Sequence, residues 1–297
     1  MKDQGFEARA ITRDPTSSKA KAIEPLVKEV VKANGDDEES MIEAFKGCYG
    51  VFVLSNFWED CDAIHEMTLL RTVKSAIHKC PELKHVVLSS FEYTTPSIDA
   101  ADNKESWAIL KDEPKMYVPH FDAKGIVGKE YLAEGIPVTL FRTCFYYENF
   151  INFGMGPTRQ TPSDPYAVTL PMADAKLPMV AVTDIGKFAA NLFTDPSTIG
   201  TVQGVSSDIL TGEEIAEAYT NVCRVQVVYN AVPTEVYAGF GFPGANDLAN
   251  MFRYKVEFNE DFLNTRSLDV SEHRTGGTTK FETWLEENKA TVAKLMA

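Results

Sequence analysis

Short apolar runs alternate with amphipathic stretches through the first half of this chain, and that alternation confines the fold more than any other feature. Tyr49-Gly-Val-Phe-Val-Leu54 is apolar at nearly every position, the pattern of a strand covered on both faces. Lys84-His-Val-Val-Leu-Ser-Ser90 and Ile136-Pro-Val-Thr-Leu-Phe141 read as further strands, as do residues 6–12, closed by Arg13-Asp-Pro15, and the short run 26–31. Between them lie predicted helices. Residues 38–46 carry Met41, Ile42 and Phe45 on one face and stop at Gly47; residues 61–78 carry Ile64, Leu69, Val73 and Ile77 on a stripe; residues 121–134 end at Gly135. A helix over 183–193 capped by Thr183 or Asp184, a short strand at 201–205, a helix over 211–223 capped by Thr211 and a helix over 279–295 complete the reading. Such alternation predicts a doubly wound, mainly parallel α/β sheet. From Asn152 the alternation weakens among Pro157, Pro162, Pro165, Pro171 and Pro178. The expected division is therefore a sheet domain of residues 1–151, with 183–206 returning to it, and a smaller α+β lobe of 152–182 and 207–297.

Charge and cysteine usage narrow the function classes. Lys and Arg number 29 against 43 Asp and Glu, a net charge of −14. That balance repels nucleic acid and anionic membrane surfaces on average, so neither is an expected partner. The five cysteines form no C-x-x-C pair, which suits reduced thiols in a cytoplasmic protein, with a nuclear fraction left open. The uncharged run 48–58 is about half a membrane span, and nothing before Pro15 resembles the apolar core of a signal peptide.

In dinucleotide-binding sheets the first strand leads through a glycine-rich turn into a helix whose N-terminus meets the pyrophosphate. No such turn lies between Met1 and Thr12. The opening strand instead runs into Arg13, as second strands of such folds do, and an Arg there favours an adenosine 2′-phosphate, hence NADP over NAD. Lys19 and Lys21, with Thr16, Ser17 and Ser18, add donors; a plain surface turn is the alternative reading.

Five segments carry a resemblance: Ala10-Ile-Thr-Arg-Asp-Pro15, Ser55-Asn-Phe-Trp-Glu59, His120-Phe-Asp-Ala-Lys124, Cys144-Phe-Tyr-Tyr-Glu-Asn149 and the long Gly241-Phe-Pro-Gly-Ala-Asn-Asp-Leu-Ala-Asn-Met-Phe-Arg253. In family order across nearly the whole chain, they resemble the NmrA-like family of atypical short-chain dehydrogenase/reductases, closest to its redox-sensing NADP-binding members. The resemblance implies a Rossmann-type sheet lacking its first strand. It implies that Arg13, Asp14, Pro15, Thr16 and Ser17 meet the 2′-phosphate and that Asn34 and Gly35 lie near the adenine. Ser55, Asn56 and Phe57 would line the carboxyl edge, Lys124 would bond the nicotinamide ribose, and Tyr146, Tyr147, Glu148 and Asn149 would border the nicotinamide. Without a glycine-rich loop, NADP(H) binding is expected to be weakened. Without the central strand, the strands at 6–12 and 49–54 should either lie in a split sheet or pair directly.

Typical short-chain reductases pair a Tyr acid with a Lys four residues later, on one helix face. Here His120 stands four before Lys124, so these two are the candidate catalytic pair, with a structural His as the alternative; Tyr117 is off the spacing and reads as packing. Ser89 and Ser90 lack a G-x-S-x-G elbow, and His65, His78, His85, His120 and His273 show no metal spacing. Cys61 and Cys144 lie near the predicted cleft and are read as buried, inert thiols, with redox-sensitive thiols as the alternative. Trp58, Phe240, Phe242 and Phe252 are read as core, with a substrate cleft or a partner surface as the alternatives, and the loop around Pro243 as the better functional candidate. The sequence thus points to an NADP(H)-binding regulatory protein acting through protein partners, with a homodimer left open. An NADPH-dependent quinone or carbonyl reductase is the first alternative, and an interaction protein that has lost dinucleotide binding is the second.

Overall fold

The structure is a computed structural model that describes residues 5–296. Its elements begin with β1 (Arg9–Thr12), α1 (Ser18–Ile23), β2 (Glu29–Lys32), α2 (Glu38–Phe45), β3 (Gly50–Val53), α3 (Ala63–His78), β4 (His85–Ser90) and α4 (Thr95–Ala100). There follow α5 (Pro119–Ala133), β5 (Val138–Arg142), β6 (Phe145–Tyr146), α6 (Asn149–Asn152), β7 (Tyr166–Leu170), β8 (Leu177–Val180), α7 (Val182–Leu192), β9 (Val202–Gly204) and β10 (Asp208–Leu210). The remainder is α8 (Gly212–Cys223), β11 (Val227–Ala231), α9 (Thr234–Ala238), α10 (Ala245–Glu257), α11 (Asn259–Asn264), α12 (Leu268–Thr275) and α13 (Phe281–Met296). Two compact units divide the chain: Met1–Tyr93 with Asp122–Phe141 and Ala189–Val202, and Thr94–Phe121 with Arg142–Phe188 and Gln203–Ala297. Among the described residues no helix is long and apolar enough to cross a membrane.

The first unit is the expected α/β sheet. It holds β3 and β4, which are parallel with Val51 opposite Val86, within a sheet of order β3-β4-β5-β9. All six residues of β4 are buried, which requires cover on both faces. The sheet is split: β1 and β2 pair in parallel as a separate two-stranded sheet, and β1 does not pair with β3. Beside that break the strands are poorly covered, with Ile11 39%, Phe52 42% and Leu54 62% exposed.

The helices begin where the sequence supplies caps. The Asp37 side chain accepts from the Ser40 amide at the head of α2, and Asp62 accepts from Ile64 and His65 at the head of α3. Glu38 and Glu39 lie in the first turn of α2, where their charge complements the helix dipole. Two expectations are corrected. The run 26–31 splits, because Pro25 favours a 3-10 turn over Glu24–Leu26 and the strand starts only at Glu29. The buried face of α3 is Ala63, Glu66, Met67, Leu70, Val73, Ala76 and Ile77, so the stripe is rotated away from Ile64 and Leu69.

The second unit holds a sheet of order β10-β8-β6, antiparallel between β10 and β8, and a parallel pair of β7 and β11. Its core is aromatic: the Tyr147 ring lies 5.0 Å from Phe281, and Phe150 lies 5.8 Å from Tyr219. Thr211 caps α8 in a reciprocal capping box with Glu214. Helix α7 starts at Val182, ahead of the expected cap. Asp184 instead lies inside the first turn, fully buried, where its carboxylate accepts from the Thr279 amide and the Ser207 hydroxyl.

Candidate functional site

Parallel α/β sheets gather ligand-binding groups beyond the carboxyl ends of their strands. In the first unit Ser55 follows β3, and Lys124 on α5 meets it there. Lys124 Nζ donates to the Ser55 carbonyl at 3.1 Å, to Ser55 Oγ at 2.6 Å and to Glu66 Oε1. An ammonium has three hydrogens, so these three acceptors account for all of them. Gly125 lets α5 come this close: a Cβ at that position would stand 2.5 Å from the Tyr93 amide nitrogen. Lys124 and Glu66 are each only 4% exposed. Burial pushes the Lys124 amine below its ordinary pKa, and the Glu66 carboxylate opposes that push. Glu66 Oε2 is buried with no hydrogen-bond partner among the described residues. Sequence reading missed Glu66. The signal was an acid on the apolar face of α3, concealed by the misplaced stripe.

His120 lies in the first turn of α5, within the second unit, and a different carboxylate holds it. Its backbone N–H donates to Asp247 Oδ2 at 3.1 Å, and its ring Nδ1 meets Asp247 Oδ1 at 2.5 Å. With Nδ1–H directed at the carboxylate, Nε2 is the remaining ring nitrogen. Asp247 belongs to the long segment 241–253, whose purpose the structure explains. Gly241 at φ +72° and Gly244 at φ +82° take the chain into α10 through a turn that other residues rarely adopt. One helix face then grips the segment 106–120. Asn250 donates to the carbonyls of Tyr117 at 2.7 Å and Ala108 at 2.9 Å. Arg253 donates to the Ser106 carbonyl at 2.8 Å and stacks 4.2 Å over the Trp107 ring. Tyr117 itself is buried, with its hydroxyl on Asp99.

The residues expected at the adenosine lie together in the first unit, beyond the ends of β1, β2 and β3. Arg13 is exposed and pairs with Glu59 at 2.7 Å. The Asp14 carboxylate accepts from both the amide and the hydroxyl of Thr16, which holds it below the usual carboxylate range. Pro15 completes this turn, and Ser17 caps α1. The Asn34 amide nitrogen donates to Ser40 Oγ, and Gly35 lies against Leu69. Asn56 is exposed at the start of a 3-10 turn, and Phe57 is buried. His65 bridges Asp60 and Asp36, one ring nitrogen to each, and these carboxylates raise its pKa, Asp60 the more strongly.

The residues expected near the nicotinamide lie in the second unit and serve its frame. Tyr147 is fully buried and donates to the Thr279 carbonyl at 3.1 Å. Tyr146 shares a hydrogen bond with Thr143, Glu148 accepts from the Val182 amide, and Asn149 opens α6. Cys144 is buried, with its thiol on the Val205 carbonyl, whereas Cys61 is exposed, contrary to the buried reading of both thiols. Phe252 is core, while Trp58 and Phe240 are 40% and 51% exposed.

A dinucleotide fits part of this frame. Arg13 offers a fork for a phosphate, and the Ser55–Lys124–Glu66 cluster holds an unpartnered acceptor suited to a hydroxyl. The turn between β1 and α1, residues 13–17, contains no glycine.

Comparison with known proteins gives a consistent family. The profile of the NmrA-like family matches residues 1–285. An NmrA-like family domain-containing oxidoreductase, malD of Malbranchea aurantiaca, is 31% identical over 238 residues, covering 77% of this chain and 68% of that protein. Among solved structures, NmrA, a negative transcriptional regulator in complex with NADP, aligns with TM-score 0.69 at 17% identity over 94% of this chain and 86% of its own. An NADPH-dependent quinone oxidoreductase from Escherichia coli aligns with TM-score 0.64 at 18% identity, covering 94% and 89%. At such identities these structures speak to fold, which is the Rossmann-like α/β arrangement described above.

Proposed function

Because the chain belongs to the NmrA-like family, we propose that it binds NADP(H) and acts as a redox-responsive regulatory protein through protein partners in the cytoplasm, with little or no catalysis of its own. The observation that carries this reading is the state of Lys124, whose three hydrogens are all taken by Ser55 and Glu66. A lysine so engaged, with no Tyr four residues before it, is poorly placed to activate a proton donor. General acid catalysis contributes about 10²–10⁴-fold where it operates. Regulation needs only that the two redox states of the ligand bind two protein conformations unequally. Arg13 directs preference to the 2′-phosphate.

A second reading, an NADPH-dependent quinone or carbonyl reductase, is favoured by the His120–Asp247 pair. Asp247 fixes the tautomer and orientation of the imidazole, as the carboxylate partner of an acid–base histidine does. The bound dinucleotide would supply hydride, and His120 the proton.

Calorimetric titration with NADPH and NADH, followed by NADPH oxidation assays with quinones, tests both readings. The expected result is tighter binding of NADPH, a narrower preference in Arg13→Ala, and negligible turnover. Equal affinities for the two cofactors overturn the NADP assignment. A robust rate that disappears in His120→Ala replaces regulation with reduction. Binding of neither cofactor leaves the chain as an interaction protein.

A further inference from the structure

Two thiols close the C-terminal end of α2. The Lys46 amide bonds back to the Glu43 carbonyl in a tightened last turn, which leaves the Ile42 carbonyl to the Cys80 thiol, donating at 3.9 Å. The Cys48 thiol donates to the Ala44 carbonyl at 3.8 Å, and Arg9 Nη1 reaches both that carbonyl at 2.9 Å and Cys48 Sγ at 3.6 Å. Ile42 and Ala44 are two residues apart, so helix geometry sets their carbonyl oxygens about 5 Å from one another, both aimed past the helix end. The two sulfurs therefore share one small region beyond α2. The backbone brings them there by a second route. The Lys84 amide donates to the Tyr49 carbonyl at 2.8 Å and Gly50 lies opposite His85, so the parallel register of β3 and β4, extended back, sets Cys48 beside Leu83. The Leu83 amide in turn bonds the Cys80 carbonyl at 3.1 Å, folding the turn from Cys80 onto the same place.

Capping alone does not call for sulfur, because an S–H is a weak donor and a hydroxyl would serve better. The two thiols also differ in access: Cys48 is half-buried and Cys80 is buried. Burial, then the charges of Glu82 and Cys48, push the Cys80 thiol above its ordinary pKa. A thiol that solvent reaches, backed by a buried second thiol, is the arrangement of a sulfur that is oxidised and one that resolves it. We propose that Cys48 and Cys80 form a reversible redox pair that hydrogen peroxide converts to a disulfide. The Cys48 sulfur attacks one peroxide oxygen; the O–O bond breaks, giving a Cys48 sulfenic acid and water. The Cys80 sulfur, giving up its proton, then attacks the Cys48 sulfur; the S–S bond forms, the S–O bond breaks, and the departing hydroxide takes that proton as a second water. Two thiols and one peroxide thus yield one disulfide and two waters, with two electrons passing from sulfur to oxygen. The bond ties the start of β3 to the segment after α3, around the stretch that carries Ser55 and Glu66, and takes the S–H donor from the Ile42 carbonyl. This response needs no bound dinucleotide, and it stands whether or not the chain takes NADP(H).

Mild treatment of the folded chain with hydrogen peroxide, then alkylation in denaturant and peptide mapping without reductant, tests the pair. Cleavage after lysine, arginine and glutamate places Cys48, Cys61 and Cys80 on three separate peptides, so the linkage is read directly. The expected result is loss of two of the five alkylatable thiols, one cross-linked peptide joining Cys48 to Cys80, and recovery of all five thiols with dithiothreitol. Cys80→Ser should form no link and should hold Cys48 as a sulfenic acid that dimedone traps. Cys48→Ser should form no link and give no dimedone adduct at Cys80. Five thiols still alkylated after peroxide, or a link through Cys61, Cys144 or Cys223 in place of this one, overturns the pair. A dimedone adduct at Cys80 in Cys48→Ser, or none at Cys48 in Cys80→Ser, overturns Cys48 as the attacking thiol. If either variant fails to fold, the map of the unmutated chain decides the pairing alone.

Discussion

Lys124 and His120 stand four residues apart on one helix, yet they are held in different ways. Lys124 Nζ is held by three acceptors that use all its hydrogens and leave one carboxylate oxygen of its partner without a hydrogen bond, and Ser90 Oγ donates to the Lys124 carbonyl at 3.3 Å. His120 is fixed through both backbone and ring by the two oxygens of one carboxylate, so Asp247 is fully used. The first arrangement has an acceptor in excess. The second resembles a helix N-terminus capped by a side chain of another element, with the imidazole held as part of the cap. The i, i+4 spacing that sequence comparison reads as one catalytic pair therefore comprises two separate anchorages, each with its own carboxylate.

Breaking one charge from each anchorage gives the largest expected effects. Lys124→Met strands Glu66 as an uncompensated buried charge and should destabilise the protein by about 3–5 kcal/mol. Replacing both partners with apolar residues should recover most of that loss. Asp247→Asn retains shape but weakens two hydrogen bonds, with an expected loss of about 1–3 kcal/mol. Denaturant unfolding of the single and double variants measures all three, and a Lys124→Met loss below that of Asp247→Asn would reverse the ranking of the two anchorages.

The contrast also shows what the sequence revealed. The helices over 38–45, 63–78 and 212–223 were legible because caps and periodicity act within a few residues, and Thr211 with Glu214 is a local signal in full. The buried strand β4 announced itself by composition. Glu66 did not, because the α3 stripe was anchored on Ile64, which the structure leaves 36% exposed. Asp247 lies 127 residues from His120, and its role is set by tertiary packing that no local pattern encodes. The pairing of β7 with β11 was missed for the same reason: Tyr166 lies opposite Val227, and neither segment carries a turn signal pointing to the other. The loop around Pro243 reads as the functional candidate, yet in the structure it is Asn250 and Arg253, on the helix that follows, that clamp the segment 106–120.

A smaller effect sharpens the comparison at a third carboxylate-held side chain, the exposed His65. Both its ring nitrogens face carboxylates, Asp60 and Asp36, so it bonds both fully only as the imidazolium. Its pKa in the folded protein is raised above the ordinary histidine value of about 6.5. The folded state then binds the proton more tightly than the unfolded state. The stabilisation is complete below the unfolded pKa and is lost as pH rises through the folded one. Stability measured from pH 6 upward should decline across that window, and His65→Gln should flatten the decline. An unchanged slope in the variant would assign the pH dependence to another group.

The smallest effect concerns Arg13, a surface cation paired to a carboxylate. Its side chain is 65% exposed and that of its partner Glu59 is 51% exposed, so water screens the pair. Exposed ion pairs of this kind contribute little, and relieving one changes an affinity by at most about fivefold. The direction of that change is informative all the same. A 2′-phosphate that takes the Arg13 guanidinium must displace Glu59, whereas NADH, which lacks the phosphate, has no need to. Glu59→Ala should therefore raise affinity for NADPH by a few fold and leave NADH where it was, the reverse of the narrowing expected from Arg13→Ala. Combining the two substitutions should abolish the gain, because without the guanidinium the carboxylate has nothing to withhold. If Glu59→Ala shifts both cofactors equally, the carboxylate acts through general repulsion of anions, and Arg13 is no longer the group that reads the phosphate.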